Sequence, residues 1–172
     1  EQFMKLLVCA LDYEDESVSE LYIRDVEADR WSAPYIYAGM SRGIYDTNES
    51  GSDFYPEIGL KRGISAEWIV NGLGIAVEPE NVFSDVKSYD KQYSAIAAAE
   101  KIGIVSGYED NTFRAENTIT RAEAAALIKR VMDYQESLHA LRDDAKNEIE
   151  LQDDVEVAAS SKTVNVPVSV DT

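Results

Sequence analysis

The sequence predicts a mainly α-helical protein that is built from a repeated unit. Apolar residues recur at spacings of three and four along several segments, which is typical of helices with one buried face. Thr120 and Glu123 have the spacing of a capping box, in which each side chain binds the backbone amide of the other residue, so a helix should begin at Thr120. Similar residues return after about 60 positions, which indicates an internal repeat.

The internal repeat consists of short matching segments in the same order. The matches are residues 23–26 with 83–86, residues 43–44 with 103–104, residues 60–63 with 119–122, and residues 68–69 with 127–128. The opening residues match only the last helix of the unit, because Leu6-Leu7 correspond to Leu127-Ile128 and Asp12-Tyr13 to Asp133-Tyr134. We therefore expect the chain to begin inside a repeat.

The opening helix is predicted from an apolar stripe, and two later helices are predicted together with the glycines that follow them. The opening helix is predicted to bury a stripe and to end at the acidic run 12–16; the stripe comprises Phe3, Leu6, Leu7, Ala10 and Leu11. Helices are also predicted at residues 33–41 and, in the later copy, at residues 93–101. Gly43 and Gly103 follow them, and glycine easily adopts the left-handed conformation that ends a helix.

The remaining helices are predicted at residues 65–73 and from Thr120 onward. In the earlier copy Lys61 and Ile64 replace the capping-box residues, so Ser65 is the expected cap. Beyond Tyr134 the apolar spacing continues through Leu138, Leu141, Ala145 and Ile149, which extends the last helix to about residue 151. Residues 158–162 are predicted to be a linker, and residues 164–170 an extended or edge strand, since a proline interrupts them.

Composition excludes several classes of function. The formal net charge of −17 argues against nucleic-acid binding, because no basic stripe could neutralise a row of phosphates. No stretch approaches the roughly 20 apolar residues of a membrane span, so any export signal must lie outside these residues. The single cysteine, Cys9, excludes a disulfide scaffold and is expected to be a small buried hydrophobe, whereas His139 is expected at the surface.

The sequence gives no support for catalysis, a metal or a cofactor. Among 33 acidic residues no pair has the marks of the two carboxyl groups that a glycosidase needs. Asp25 and Asp85 are expected to cap the following helix or turn. Residues 109–111 lack the ligand spacing of an EF-hand calcium loop. We therefore expect a protein that is not an enzyme.

Residues 83–123 resemble the S-layer homology family. They match its F-x-D-V opening, A-I helix, G-I, G-Y-x-D-x-T-F loop and I-T-R-A-E helix almost position by position, and residues 23–75 are a weaker copy. The resemblance implies a cell-wall anchoring module of three tandem repeats, arranged with pseudo-threefold symmetry around a central three-helix bundle. Residues 1–14 would complete a truncated first repeat, residues 15–75 form the second, residues 76–134 form the third, and residues 135–172 form a helical extension and tail.

The resemblance also implies a location and a ligand. It implies an extracellular protein of the cell wall or S-layer that binds secondary cell-wall polysaccharide, an acidic or pyruvylated polymer. The net charge of −17 opposes an anionic polymer, but that field is screened over about 8 Å, so arginines in direct contact can still bind it. The alternative is a degenerate module that serves protein-protein contacts or assembly with other surface-layer proteins; the weak match of the earlier copy favours it.

Arg121 is the first candidate for contact with the glycan. A cation in the first turn of a helix opposes the helix dipole, so we expect Arg121 to serve an anion, and the family's binding arginine falls at this position. The alternative is a surface salt bridge with Glu123 or Asp110. Arg62 occupies the same position in the earlier copy, where the altered cap puts its geometry in doubt.

The other candidates lie in two turn-rich loops and before one helix. Turn centres are predicted at Ser50-Gly51 and Asp110-Asn111, and exposed groups of these loops would bind sugar hydroxyls. Trp31 is either a packing residue or a sugar-stacking platform. The remaining glycan-binding candidates are Gly51, Gly107, Asp110 and Thr112, which could also form turns without a ligand role.

Overall fold

A computed structural model describes residues 1–13, 23–46, 53–80 and 83–161, with side chains as far as residue 146. The described residues contain five helices: α1 Gln2–Ala10, α2 Ala33–Ser41, α3 Arg62–Leu73, α4 Tyr93–Lys101 and α5 Arg121–Ser161. Within these ranges the β-structure is one antiparallel bridge, between Lys61 and Thr118. The mainly helical class is confirmed, whereas the threefold arrangement, the tandem repeats and the domain boundaries stay predictions.

The chain divides into two compact bodies, Glu1–Tyr134 and Gln135–Thr172. All the candidate site residues that the structure describes lie in the first body. Of the described helices, none is both long and apolar enough to cross a membrane.

Helices α2 and α4 have the predicted bounds. The glycines that follow them, Gly43 and Gly103, have positive φ angles of 69° and 76°. The next amide then donates back into the last turn, from Ile44 to Gly39 at 2.8 Å and from Ile104 to Ala99 at 2.9 Å. This is the left-handed glycine cap that the sequence predicts.

Helices α1 and α3 end in the same way, but α5 does not. Asp12 after α1 and Gly74 after α3 have φ angles of 55° and 64°. Tyr13 and Ile75 then donate backbone hydrogen bonds, at 3.1 Å each, to carbonyls five residues earlier. In α5 the corresponding residue is Asp133, which lies inside the helix. The last helix therefore continues where its two counterparts stop.

The predicted start of α3 at Ser65 is wrong. The helix begins at Arg62, after Lys61, whose side chain makes no capping hydrogen bond. Backbone carbonyls of a later loop replace the missing cap: Arg62 donates to Asn117 at 2.8 Å and Gly63 to Ala115 at 2.8 Å. The first amides of the helix are thus satisfied by residues more than 50 positions further along the chain.

The capping box at the start of α5 is confirmed. The Thr120 amide donates to Glu123 Oε2 at 2.8 Å, and the Glu123 amide donates to Thr120 Oγ1 at 3.2 Å. At its other end α5 extends ten residues past the predicted end and includes Ala158 and Ala159, so the linker prediction for residues 158–161 is wrong. Alanine is the strongest helix former, which explains the continuation. Residues 164–170 lie outside the described residues.

The buried face of α1 differs from the predicted stripe. Met4 and Val8 are fully buried, whereas Leu6 is 44% exposed. The stripe is therefore Phe3, Met4, Leu7, Val8 and Leu11. Cys9 is partly buried rather than buried, and His139 is exposed as expected.

Candidate functional site

A groove of 790 Å³ opens on the first compact body. Its described lining comes from Glu1 and Phe3, from residues 43–46, from residues 53–61, from α3 and residues 74–76, and from residues 91–92. The wall contains the aromatic rings of Tyr45, Phe54 and Trp68. The charged and amide side chains along it are those of Glu1, Asp46, Asp53, Lys61, Glu67, Asn71, Lys91 and Gln92. We name this cavity the Trp68 groove; its volume is within the range of small-ligand sites.

The aromatic wall of the Trp68 groove is held in place by several contacts. Trp68 stacks on Phe54 with ring centroids 5.6 Å apart, and Tyr45 meets both rings edge-on at 6.0 and 5.2 Å. The Tyr45 hydroxyl donates to the backbone carbonyl of Asp53. The Asp53 carboxylate in turn accepts from Arg24 Nε at 2.8 Å. The wall is thus fixed before any ligand arrives.

In each copy of the sequence pattern, one aspartate accepts hydrogen bonds from the loop of the same copy. The carboxylate of Asp25 accepts from the amides of Phe54 and Tyr55, at 2.7 Å each. The carboxylate of Asp85 accepts in the same way from the amides of Phe113 and Arg114, at 2.7 and 2.8 Å. The prediction that these aspartates cap the following helix or turn is therefore wrong, because the amides they bind lie nearly 30 residues further on. The matching hydrogen bonds extend the internal similarity from sequence to structure.

Arg62 lies in a cluster formed by the start of α3 and the later loop. Its guanidinium donates to the carbonyls of Phe113, at 3.0 Å, and Ser106, at 2.8 Å. It also pairs with Glu123 at 3.4 Å and lies over the rings of Tyr108 and Phe113, with its central carbon 5.3 and 4.7 Å from their centroids. Only 11% of the side chain is exposed. Its donors are therefore engaged within the protein.

The loop 106–113 is held together by Asp110. Its carboxylate accepts from the Thr112 amide at 3.1 Å and hydroxyl at 2.6 Å, and from Arg114 Nη2 at 3.0 Å. The Thr112 hydroxyl and Arg114 hold the pKa of Asp110 below its usual value. The turn prediction at Asp110-Asn111 is confirmed, since Asn111 has a φ of 59° and donates to the Tyr108 carbonyl at 3.0 Å.

Gly107 lies in this loop next to an aromatic ring. A Cβ on Gly107 would lie 2.3 Å from Phe83 Cε1 and 2.9 Å from the Thr112 carbonyl oxygen. Phe83 is buried and pairs with Phe113, with ring centroids 5.3 Å apart. Packing therefore requires a glycine here, although the residue itself is exposed to solvent.

Arg121 is exposed in the first turn of α5. Within the described part of the chain, no hydrogen bond or ion pair engages its guanidinium. The salt-bridge alternative with Glu123 or Asp110 is wrong, because those carboxylates pair with Arg62 and Arg114. Arg121 and Arg62 thus occupy matching sequence positions in opposite environments.

The other candidates are not gathered into one site. Trp31 is 49% exposed, so it is not a packing residue of the core; Lys5 Nζ lies 5.8 Å from its ring centroid. Gly51 lies outside the described residues. Sequence reasoning did not single out Tyr108 or Arg114, whose guanidinium carbon lies 3.9 Å from the Tyr108 centroid. The signal available in the sequence was the presence of an aromatic and a basic residue close to Gly107.

Thr120→Ala is expected to weaken the start of α5 by about 1 kcal/mol, because the helix loses its cap. The Thr120 amide and hydroxyl hold the pKa of Glu123 below its ordinary value of 4.5. A lowered pKa contributes stability above the ordinary value, and that stability is lost as the pH falls through the folded pKa. The variant should therefore have a higher Glu123 pKa, which an NMR titration of its carboxyl carbon measures. An unchanged pKa would contradict the capping-box assignment.

The sequence is similar to a known family and to several known proteins. Residues 82–125 match the family described as S-layer homology domain. The chain is 30% identical over 125 residues to an endoglucanase of Bacillus sp. (strain KSM-635), which is 72% of this chain and 13% of that protein. It is 30% identical over 111 residues to the middle cell wall protein of Brevibacillus brevis, 63% of this chain and 10% of that protein.

A third relative is named as a surface layer protein. The surface layer protein of Brevibacillus choshinensis is 26% identical over 125 residues, which is 66% of this chain and 11% of that protein. The chain thus spans 13% or less of the length of these three relatives.

Proposed function

Because this chain carries an S-layer homology domain, we propose that it anchors its protein by binding secondary cell-wall polysaccharide. The chain is extracellular, belongs to the cell wall or S-layer, and has a cell-surface anchoring role. We propose that this polysaccharide is acidic or pyruvylated and that it contacts the residues described below.

The Trp68 groove is the observation that carries the proposal. Sugars present apolar ring faces together with hydroxyl groups, so a protein site for them needs aromatic surface and hydrogen-bonding side chains side by side. The groove supplies hydrogen-bonding side chains in Asn71 and Gln92 and a small aromatic surface from Tyr45 and Trp68, which are 8% and 7% exposed. Its fixed wall lowers the entropy cost of binding.

Arg121 supplies a charge-assisted contact to an acid group of the polymer. Its guanidinium is exposed and can form a two-pronged hydrogen bond with a carboxylate. The exposed Asp110 carboxylate has lone pairs left for sugar hydroxyls, and Thr112 and Gly107 keep its loop in shape. Trp31 offers an exposed ring for stacking. Arg62 would contribute by holding this loop, which makes the two arginine sites unequal.

The proposed mechanism is recognition without turnover. The chain spans 13% of the endoglucanase relative, and that protein's catalytic name describes a much longer chain. Incubation with the polysaccharide should leave its chain length unchanged, as size-exclusion chromatography of the glycan would measure. Fragmentation of the polymer would establish an enzyme instead.

Arg121→Ala is expected to weaken binding of the wall polysaccharide by about 1.5–3 kcal/mol, the worth of a hydrogen bond to a charged group. Helicity and melting temperature should stay nearly unchanged, because the side chain is exposed and its charge opposes the helix dipole. Arg121→Lys should restore part of the affinity. Isothermal titration calorimetry measures the difference, and equal affinity of wild type and Arg121→Ala would remove the residue from the site.

A protein-interaction module is the second candidate function. The engagement of Arg62 within the protein favours it, since one of the two family-position arginines is not presented to a ligand. Co-sedimentation with purified cell walls, with and without their secondary polymer, separates the two functions. Sedimentation that is independent of the polymer would support the interaction module.

A further inference from the structure

We infer that Tyr108 is a positioning residue of the proposed polysaccharide site, because its side chain connects the loop that displays Asp110 to the helix turn that carries Arg121. This inference rests on the proposed function and adds a residue that acts on the ligand through its neighbours. Tyr108 is 36% exposed, so most of its surface packs against the protein. Its side chain contacts three charged residues, which belong to the loop, to the start of α3 and to the start of α5.

The first of these neighbours, Arg114, connects the ring of Tyr108 to the loop. The guanidinium carbon of Arg114 lies 3.9 Å from the ring centroid. Its Nη2 donates to the Asp110 carboxylate at 3.0 Å, and its Nε donates to the Thr112 hydroxyl at 3.1 Å. An arginine that stacks on an aromatic ring keeps its planar donors in one orientation. The Tyr108 ring therefore orients the guanidinium that holds the Asp110 carboxylate.

The other two neighbours, Arg62 and Glu123, connect Tyr108 to the start of α5. The guanidinium carbon of Arg62 lies 5.3 Å from the Tyr108 ring centroid, and its Nη1 lies 3.4 Å from Glu123 Oε1. The second oxygen of the same carboxylate, Glu123 Oε2, accepts from the Thr120 amide at 2.8 Å. That hydrogen bond caps the turn in which Arg121 lies. One carboxylate thus belongs both to the surroundings of Tyr108 and to the cap of α5.

The Tyr108 hydroxyl acts on this carboxylate as well. The Thr120 amide and hydroxyl, the charge of Arg62 and the Tyr108 hydroxyl hold the pKa of Glu123 below its ordinary value of 4.5. A hydroxyl that donates to a carboxylate stabilises its charged form and restricts its orientation. Loss of the Tyr108 hydroxyl should therefore loosen the turn that carries Arg121, while the Thr120 cap remains.

The earlier copy of the sequence pattern lacks this connection. At the positions of Arg114 and Glu123 it has Tyr55 and Ile64. It therefore has neither the guanidinium that holds the loop nor the carboxylate that caps the helix. The connection through Tyr108 is specific to the later copy, in which the arginine at the family position is exposed.

The test compares binding of the wall polysaccharide by Tyr108→Phe and by the wild type, using isothermal titration calorimetry. The variant keeps the ring against Arg114 and removes only the hydroxyl. It should bind about threefold to tenfold more weakly, as expected for residues that interact. An NMR titration should show a raised pKa for Glu123 and an unchanged pKa for Asp110. Tyr89→Phe, which removes the hydroxyl of a tyrosine that is 84% exposed, is the matched control.

Tyr108→Leu removes the ring together with the hydroxyl. Arg114 then loses the surface on which it stacks, so the pKa of Asp110 should rise as well as that of Glu123. The loss of affinity should exceed that of Tyr108→Phe. Equal affinities of the two variants would show that the ring does not position the loop.

The double variant Tyr108→Phe/Arg121→Ala separates positioning from a general loss of stability. If the hydroxyl acts through the turn of Arg121, the double variant should bind as weakly as Arg121→Ala alone. Losses that multiply, or wild-type affinity of Tyr108→Phe, would overturn the positioning role while the proposed function stands. If the wild type does not bind the polysaccharide, the proposed function and the positioning role are both wrong.

Discussion

Arg62→Ala is expected to lower the free energy of unfolding by about 2–4 kcal/mol. The guanidinium donates to the carbonyls of Phe113 and Ser106 and pairs with Glu123. The variant loses these hydrogen bonds together with the contact between the guanidinium and two aromatic rings. Because only 11% of the side chain is exposed, water replaces these contacts poorly. Urea unfolding followed by circular dichroism measures the loss.

Arg121→Ala is the matched control, since Arg121 occupies the same position in the later copy. It is exposed, so its removal should change the unfolding free energy by less than about 0.5 kcal/mol. Arg62→Lys should lie between wild type and Arg62→Ala, because an ammonium keeps the charge but cannot reach both carbonyls in the same planar geometry. Equal stability of the two alanine variants would show that Arg62 does not hold the loop.

The helices were predictable wherever local residues determine them. The bounds of α2 and α4 follow from an apolar stripe and a terminal glycine, and the start of α5 follows from Thr120 and Glu123 alone. The start of α3 was not predictable in this way. Its first amides bind the carbonyls of Asn117 and Ala115, which lie over 50 residues away and leave no mark near Lys61. A long-range partner replaced the local cap.

The site was less predictable than the fold for the same physical reason. Sequence alone placed Arg62 and Arg121 in equivalent positions. It could not show that Arg62 donates to the carbonyls of Ser106 and Phe113, whereas Arg121 is exposed. The Trp68 groove likewise depends on tertiary packing between α3 and residues 91–92. Turn chemistry in the loop 106–113 was predictable, because Asp110 and Thr112 interact two residues apart.

Arg121 is not among the described residues that line the Trp68 groove. The two sites have different supports, since Arg121 depends on the capping box and the groove depends on the aromatic wall. Gly107 lies within the loop and next to the buried Phe83, so a substitution there acts on both.

Gly107→Ala is expected to lower the free energy of unfolding by about 2–4 kcal/mol. The added methyl group would lie 2.3 Å from Phe83 Cε1 and 2.9 Å from the Thr112 carbonyl oxygen, and neither can yield freely. Phe83 is packed against Phe113, which is fully buried, and the Thr112 carbonyl accepts from the Tyr108 amide at 2.8 Å. Accommodating the methyl group therefore disturbs the core and the loop together. Thermal and urea unfolding measure the effect.

Gly103→Ala is the matched control for Gly107→Ala, because it tests backbone strain without a steric clash. Gly103 has a φ of 76°, and a Cβ there would meet nothing within 4 Å. Alanine in this conformation costs about 1–2 kcal/mol. If Gly107→Ala is no more destabilising than Gly103→Ala, the contact with Phe83 does not constrain the loop. A larger loss at Gly107, together with weaker binding of the wall polysaccharide, would connect the packing of Phe83 to the shape in which Asp110 is displayed.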